Sequence, residues 1–258
     1  MDYSAIRLET ANDVATLTLN RPEMKNALNV QMRAEITHAV KEAQRDARVL
    51  VIGGAGDAFC SGQDLGDGGD ATNLDLERTL RDEYVPMLKA IFDCPIPTIC
   101  AVHGAAAGAG ANLALAADVV IAADEAYFIQ AFTRIGLIPD AGGTYWLPRQ
   151  VGAARAMGAA LFADKITATQ AADWGMIYEA IPDSEFVSRW QARAAQLAAG
   201  PTAAYQHLKT ALRSASENTL DEQLALEAKL QGKCGLTRDF QEGVVAFLEK
   251  RPAKYEGR

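Results

Sequence analysis

The feature of this 258-residue chain that most limits its fold is a repeated passage from a short apolar run, through a glycine turn, into a helical stretch. Val49-Leu50-Val51-Ile52 stops at Gly53-Gly54, and residues 99–102 lead into Gly104-Ala105-Ala106-Ala107-Gly108-Ala109-Gly110. Asn112-Leu113-Ala114-Leu115-Ala116-Ala117 then continues in helical register and gives way to Val119-Val120-Ile121-Ala122. Alternation of short strands with helices favours an α/β fold with parallel pairing. The first strand has a different pattern. Val14-Ala15-Thr16-Leu17-Thr18-Leu19 alternates apolar with small or polar residues, the period of a half-buried strand, and residues 6–8 are expected to pair with it as a hairpin.

Helical spacing is clearest at Met32, Ile36, Val40 and Ala43, behind Asn29, a residue type suited to an N-cap. A second helical face combines Leu76, Leu80, Tyr84, Met87 and Ile91, and Pro95 and Pro97 end it. From Ala153 onward the chain is almost wholly helix-forming, with Pro182, Gly200-Pro201 and Gly232 as punctuation. The reading is an α/β core over residues 1–199 and a helical region over residues 200–258.

Charge narrows the possible functions. The 25 Lys+Arg against 33 Asp+Glu leave a net charge of −8, and the one local basic excess is Lys250, Arg251, Lys254 and Arg258, so a nucleic-acid partner is not expected. There is no apolar stretch of about 18 residues and no basic start followed by an apolar run, so the expectation is a cytoplasmic protein with no membrane segment. Cys60, Cys94, Cys100 and Cys234 have no metal-ligand spacing, and neither a metal nor a disulfide frame is expected.

The glycine-rich segments do not fit a dinucleotide fingerprint, because Leu113 stands where the third glycine belongs. They remain turns whose main-chain N–H groups can meet a ligand oxygen: Phe59-Cys60-Ser61-Gly62-Gln63-Asp64-Leu65 after one strand, and residues 104–110 after another. Taken singly, each reads as a packing turn. Converging, the two would make an oxyanion hole.

Four segments, in order, resemble the signatures of the crotonase superfamily, the enoyl-CoA hydratases and isomerases. They are Asn20-Arg21-Pro22-Glu23-Met24-Lys25-Asn26-Ala27-Leu28-Asn29, Phe59 through Leu65, Ala101-Val102-His103-Gly104 with Gly108-Ala109-Gly110, and Ile138-Pro139-Asp140-Ala141-Gly142-Gly143-Thr144 with Leu147-Pro148-Arg149. The resemblance implies a spiral of β-β-α units, a helical C-terminal trimerisation region, and assembly as a homotrimer or a dimer of trimers. It also implies an acyl-CoA thioester as substrate, with coenzyme A present as part of that substrate and no separate cofactor. By motif position, the main-chain N–H groups of Gln63 and Ala109 would hold the thioester oxygen. Asp64, Leu65 and Gly66 would continue the loop that lines the CoA pocket. Lys25 sits where relatives place a cation near CoA phosphates, and reads equally as a solvated loop lysine. Phe247, Lys250 and Lys254 match a region that in relatives approaches a neighbouring subunit's CoA, or form a plain amphipathic helix end.

The two glutamate positions of a crotonase-type hydratase hold Asn112 and Phe132 here. Neither side chain can accept the proton of an added water. Asp140 matches the aspartate that isomerase branches use to move a proton. On local residues alone it reads as an N-cap for a helix beginning near Gly142, or as a loop carboxylate. Its neighbours Ile135, Leu137 and Ile138 would desolvate it and raise its pKa. The stretch from Phe128 to Asp140, with Tyr145-Trp146-Leu147-Pro148-Arg149, is most similar to 1,2-epoxyphenylacetyl-CoA isomerases, and Phe132, Tyr145 and Trp146 would wall a pocket for a flat ring. The implied activity is isomerisation of ring-epoxide phenylacetyl-CoA, of β,γ-enoyl-CoA, or of both. The alternatives are a weak enoyl-CoA hydratase in which Asn112 positions water, and a non-catalytic acyl-CoA-binding member.

Overall fold

The computed structural model describes residues 2–66 and 75–258. Its strands in chain order are β1 (Ile6–Ala11), β2 (Val14–Leu19), β3 (Val49–Gly54), β4 (Ala58–Cys60), β5 (Thr98–Val102), β6 (Ala105–Ala107), β7 (Val119–Ala123), β8 (Tyr127–Ile129), β9 (Ile166–Thr167) and β10 (Glu179–Ile181). One sheet has the order β1-β2-β3-β5-β7-β10, and the second has β4-β6-β8-β9. The expected hairpin is present, with β1 and β2 antiparallel from Ile6↔Leu19 to Ala11↔Val14. Asn12 and Asp13 both hold positive φ (52° and 62°) at its turn, a conformation that Asn and Asp tolerate and whose twist suits the strands. The other pairings of the larger sheet are parallel. Val49 to Ile52 and Thr98 to Val102 are buried throughout, which explains their unbroken apolar runs.

In the smaller sheet β4, β6 and β8 run parallel, and β9 closes it antiparallel. Three parallel strands therefore end at one edge. The loops beyond them meet there.

The helices are α1 (Val30–Asp46), α2 (Leu76–Thr79), α3 (Val85–Phe92), α4 (Ala109–Leu115), α5 (Gly143–Val151), α6 (Ala153–Phe162), α7 (Ala168–Asp173), α8 (Asp183–Ala198), α9 (Thr202–Ser214), α10 (Leu220–Cys234) and α11 (Arg238–Glu249). Asn29 caps α1 as expected, its Oδ1 accepting from the Met32 N–H at 2.8 Å, and Met32, Ile36, Ala39, Val40 and Ala43 are buried. Two departures matter. The helical face expected from Leu76 to Ile91 is broken by a π turn, Leu80–Tyr84, between α2 and α3. Met87 and Ile91 are buried in the core, whereas Leu76 and Leu80 line a cavity. In the C-terminal half the helical composition conceals β9 and β10, strands of two and three residues that complete the edges of the two sheets.

The N-terminal segment is tied down by Glu35, a fully buried carboxylate on α1. Its Oε1 accepts from the Ser4 N–H, the Ser4 hydroxyl and Gln31, and its Oε2 from the N–H groups of Ala5 and Ile6, all at 2.7–3.1 Å. Burial alone pushes its pKa up, but these five donors outweigh burial and hold it below the ordinary value. A lowered carboxylate pKa stabilises the fold above the unfolded-state value, and the contribution is lost as pH falls through the folded-state value. Glu35→Gln is expected to cost about 1–3 kcal/mol at pH 7 in urea unfolding. The gap to wild type should close as the pH drops below the carboxylate range; a gap that persists in acid would rule out a charge-dependent clamp.

Candidate active site

Gly62, Ala109 and Phe132 lie just beyond β4, β6 and β8 respectively, and all three line one cavity of about 300 Å³ with Gln63, Tyr84 and Asp140. The loop after β4 is held by Leu28, whose N–H donates to the Gly62 carbonyl at 2.7 Å and whose carbonyl accepts the Asp64 N–H at 3.2 Å. In an extended segment successive N–H groups face opposite sides, so with its neighbours committed to Leu28 the Gln63 N–H faces away from it. On that other side lies the start of α4. Gly62 permits the approach: its φ is +99°, and a Cβ there would stand 2.8 Å from the Ala107 carbonyl oxygen and 3.5 Å from the Ala109 nitrogen. Ala109 is the first residue of α4, so its N–H has no carbonyl one turn earlier in the helix to bond. The two donors expected from the motifs thus belong to converging segments, and both residues border the cavity.

Asp140 borders the same cavity. Its Oδ1 is shielded from solvent and has no hydrogen-bond partner among the described residues. Burial raises its pKa to about 6, a shift that its own backbone N–H only partly offsets. The helix-cap reading does not hold, because α5 begins behind Gly142 without a side-chain cap. The direction of the expected shift holds, and of the three apolar neighbours Ile135 and Leu137 line the cavity with Asp140, whereas Ile138 is 75% exposed and does not.

Asn112 is fully buried and does not line the cavity. Its Nδ2 donates to the Asp140 carbonyl at 2.7 Å and its Oδ1 accepts from Gln130 Nε2 at 2.9 Å. Gly143 packs against it so closely that a Cβ there would lie 2.4 Å from Nδ2. The idea that Asn112 positions a water is therefore corrected: its amide is spent on holding the Asp140 loop.

The other site candidates separate. Leu65 lines the cavity and is half exposed. Asp64 turns away, pairing with Arg21 at 2.9 Å and accepting from the Gly66 N–H at 3.0 Å, so Asp64 and Gly66 hold the loop's shape and do not border the cavity. The Lys25 side chain is exposed, and its carbonyl accepts from the Ser61 N–H at 2.9 Å. Phe132 walls the cavity as expected, but Tyr145 and Trp146 do not. They sit in a separate cleft of about 710 Å³ beside Phe92, because α5 turns them to its other side. His103 bonds the Gly56 carbonyl at 3.0 Å, a structural use.

Sequence reasoning missed Arg33, Glu83, Tyr84 as a cavity residue, and Gln130. Arg33 was detectable in part, since it lies three and seven residues before Ile36 and Val40, a charge on an otherwise apolar stripe.

The enoyl-CoA hydratase/isomerase family pattern matches residues 9–258. Over its full length, and the full length of the relative, the chain is 61% identical to a Rhodobacter capsulatus protein named "Probable enoyl-CoA hydratase". It is 46% identical, over 95% of each chain, to 1,2-epoxyphenylacetyl-CoA isomerase of Escherichia coli K12. An enoyl-CoA hydratase structure from Polaromonas sp. JS666 superimposes with a TM-score of 0.93 at 33% identity, covering 98% of this chain and all of that one. The two sheets with their converging loops are the crotonase fold, and the chain belongs to the enoyl-CoA hydratase/isomerase family.

Proposed function

We propose that this chain is an acyl-CoA isomerase in which Asp140 moves the proton and the N–H groups of Gln63 and Ala109 hold the thioester oxygen. The observation that carries the reading is a carboxylate with an unpartnered oxygen among the described residues, its pKa raised to about 6, bordering the same cavity as both converging loops. As carboxylate, Asp140 removes a proton from the carbon next to the thioester carbonyl; the electron pair moves onto the thioester oxygen, where two main-chain donors stabilise it. As carboxylic acid, Asp140 returns the proton to the γ-carbon, and the double bond shifts from β,γ to α,β with no net change in atoms. One group suffices because the proton it takes is the proton it gives back. Phe132 beside the cavity also suits an aromatic acyl group, which supports a ring-epoxide phenylacetyl-CoA as a substrate, in keeping with the name of the Escherichia coli relative. The name of the Rhodobacter capsulatus relative favours hydration as the second reading. Against it stand Asn112, with both amide ends occupied, and Phe132, which has no proton-accepting group.

Asp140→Asn is expected to lower isomerisation of a β,γ-enoyl-CoA by about 10²–10⁴ while acyl-CoA affinity stays within a few-fold. Wild-type turnover should rise with pH through about 6 and then level off, because the base form of a carboxyl is the deprotonated one. Since a raised carboxylate pKa costs stability above the folded-state value, the same substitution should raise the melting temperature at pH 8. Undiminished isomerisation in the folded variant would end the assignment, and hydration of crotonyl-CoA at a comparable rate would favour the second reading.

The donor at Ala109 can be deleted with little strain, because proline is tolerated at the first position of a helix. Ala109→Pro is expected to lower turnover by about 10²–10³, and Ala109→Gly to stay within a few-fold of wild type. Equal activity in the two folded variants would remove Ala109 from the oxyanion hole.

The C-terminal helices leave Leu224, Val244, Phe247 and Leu248 exposed at 53%, 42%, 82% and 74%, a face that favours a trimer or a dimer of trimers. Light scattering should give three or six times the 27.6 kDa chain mass, and a monomer at micromolar concentration would overturn this.

A further inference from the structure

Arg33 is a charged residue, 2% exposed, on the buried face of α1. Its guanidinium reaches four groups. Nε and Nη2 meet Glu83 Oε2 at 3.0 and 2.6 Å, and Nη1 meets the Leu28 carbonyl at 2.5 Å and Gln63 Oε1 at 3.3 Å. The guanidinium also lies over the Tyr84 ring, 4.9 Å from its centroid, and the Tyr84 hydroxyl donates to Gln63 Oε1.

Stability is a poor reason for such a residue, because desolvating an ion pair often costs as much as the pair returns, and apolar side chains of similar size would pack as well. Its partners suggest another reason. Leu28 is the rung on which Gly62 and Asp64 hang, so the carbonyl that Arg33 grips is the one that orients the Gln63 main chain. Gln63 Oε1 is held by Arg33 and Tyr84 together, which fixes the same residue from its side chain. Glu83 and Tyr84 come from the π turn, a distortion frequent at functional sites, and Leu80 and Tyr84 of that turn line the cavity. Residues 28, 33, 63 and 83–84 come from three separate parts of the chain and meet on one guanidinium.

We propose that Arg33 is a positioning residue for the oxyanion hole: it locks the Gln63 N–H donor to the cavity wall carried by Glu83 and Tyr84, so that donor and wall form one rigid unit. This rests on the oxyanion role of Gln63 and Ala109. Lysine cannot replace it, since an ammonium lacks the planar fork needed to hold Glu83, Leu28 and Gln63 at once.

The test uses the full chain and acetoacetyl-CoA, a β-ketoacyl thioester whose enolate absorbs in the near ultraviolet. Bound to wild type, it should show the enolate band. In Arg33→Lys the band should weaken and the affinity fall about tenfold, with binding of free CoA unchanged. For a β,γ-enoyl-CoA, kcat should fall by about 10–100-fold with KM within threefold, the pattern of a displaced donor. A residue that only stabilised the fold would lower the melting temperature without this split. If Arg33→Lys does not fold, the paired variant Arg33→Met with Glu83→Gln leaves no unpaired buried charge and is expected to show the same band and kcat losses. Tyr84→Phe, which removes one of the two donors to Gln63 Oε1, should show a smaller loss in the same direction. A wild-type enolate band and wild-type kcat in the folded Arg33 variants, with the band lost in Ala109→Pro, would overturn the Arg33 proposal and leave the oxyanion hole standing. No enolate band in wild type, together with full activity in Ala109→Pro, would overturn the oxyanion hole itself and Arg33's role with it.

Discussion

The site depends on three short strands, β4, β6 and β8, ending side by side. Parallel pairing gives them a common direction, and their three- and two-residue registers place Cys60 opposite Ala106, and Ala107 opposite Ile129. The β4 register shifts between Ala58 and Cys60, an irregularity of the kind that bends a strand and re-aims the residues beyond it. Those residues are Ser61-Gly62-Gln63. Hydrogen bonds between main chains therefore set the course of the two segments that carry the proposed donors, and the Arg33 side chain adds a grip on the first of them. Small residues such as Ala109 are tolerated there because the chemistry asks only for an N–H.

Two carboxylates show how the same fold makes opposite uses of burial. Glu35 has five donors around it, and they more than offset its desolvation, so it stays charged and ties the first residues to α1. Asp140 has a buried oxygen with no partner among the described residues, so desolvation dominates and its pKa rises to about 6. The difference lies in the number of donors supplied, and burial alone would have predicted the same behaviour for both. A carboxylate left this way is costly to the fold and well matched to proton transfer near neutral pH. That combination is characteristic of a group kept for chemistry.

Much of this was legible in the sequence because it rests on local pattern. Asn29 as a cap, the hairpin, the buried strands around Val51 and Cys100, and the two glycine turns all derive from residues adjacent in the chain. Legibility failed where geometry depends on distant partners. The π turn at Leu80–Tyr84 leaves the helical spacing of Leu76, Leu80, Tyr84 and Met87 looking regular, so Leu76 and Leu80 read as one face with Met87 and Ile91 although they line a cavity. Tyr145 and Trp146 come only a few residues after Asp140, yet α5 carries them to another cleft. Arg33 and Glu83 are 50 residues apart, and no periodicity links them. β9 and β10 are too short for a pattern to emerge from an alanine-rich background.

The residues around Asp140 bear on the proposed choice of isomerisation over hydration. Adding water needs room for the water and a second group to exchange protons with it. Here the position nearest the Asp140 loop is filled by an amide bonded at both ends, to the Asp140 carbonyl and to Gln130, with Gly143 packed against it. A longer carboxylate at 112 would have to displace one of those bonds, and the loop they steady is the one that carries the proposed base. On the proposed reading, the amide and the aspartate are alternatives to a pair of glutamates as a set and not residue by residue. On that reading, a single mobile proton, two fixed donors and an apolar wall are all the reaction requires, and Asn112, in place of serving water, holds the main chain of the residue that carries the carboxylate.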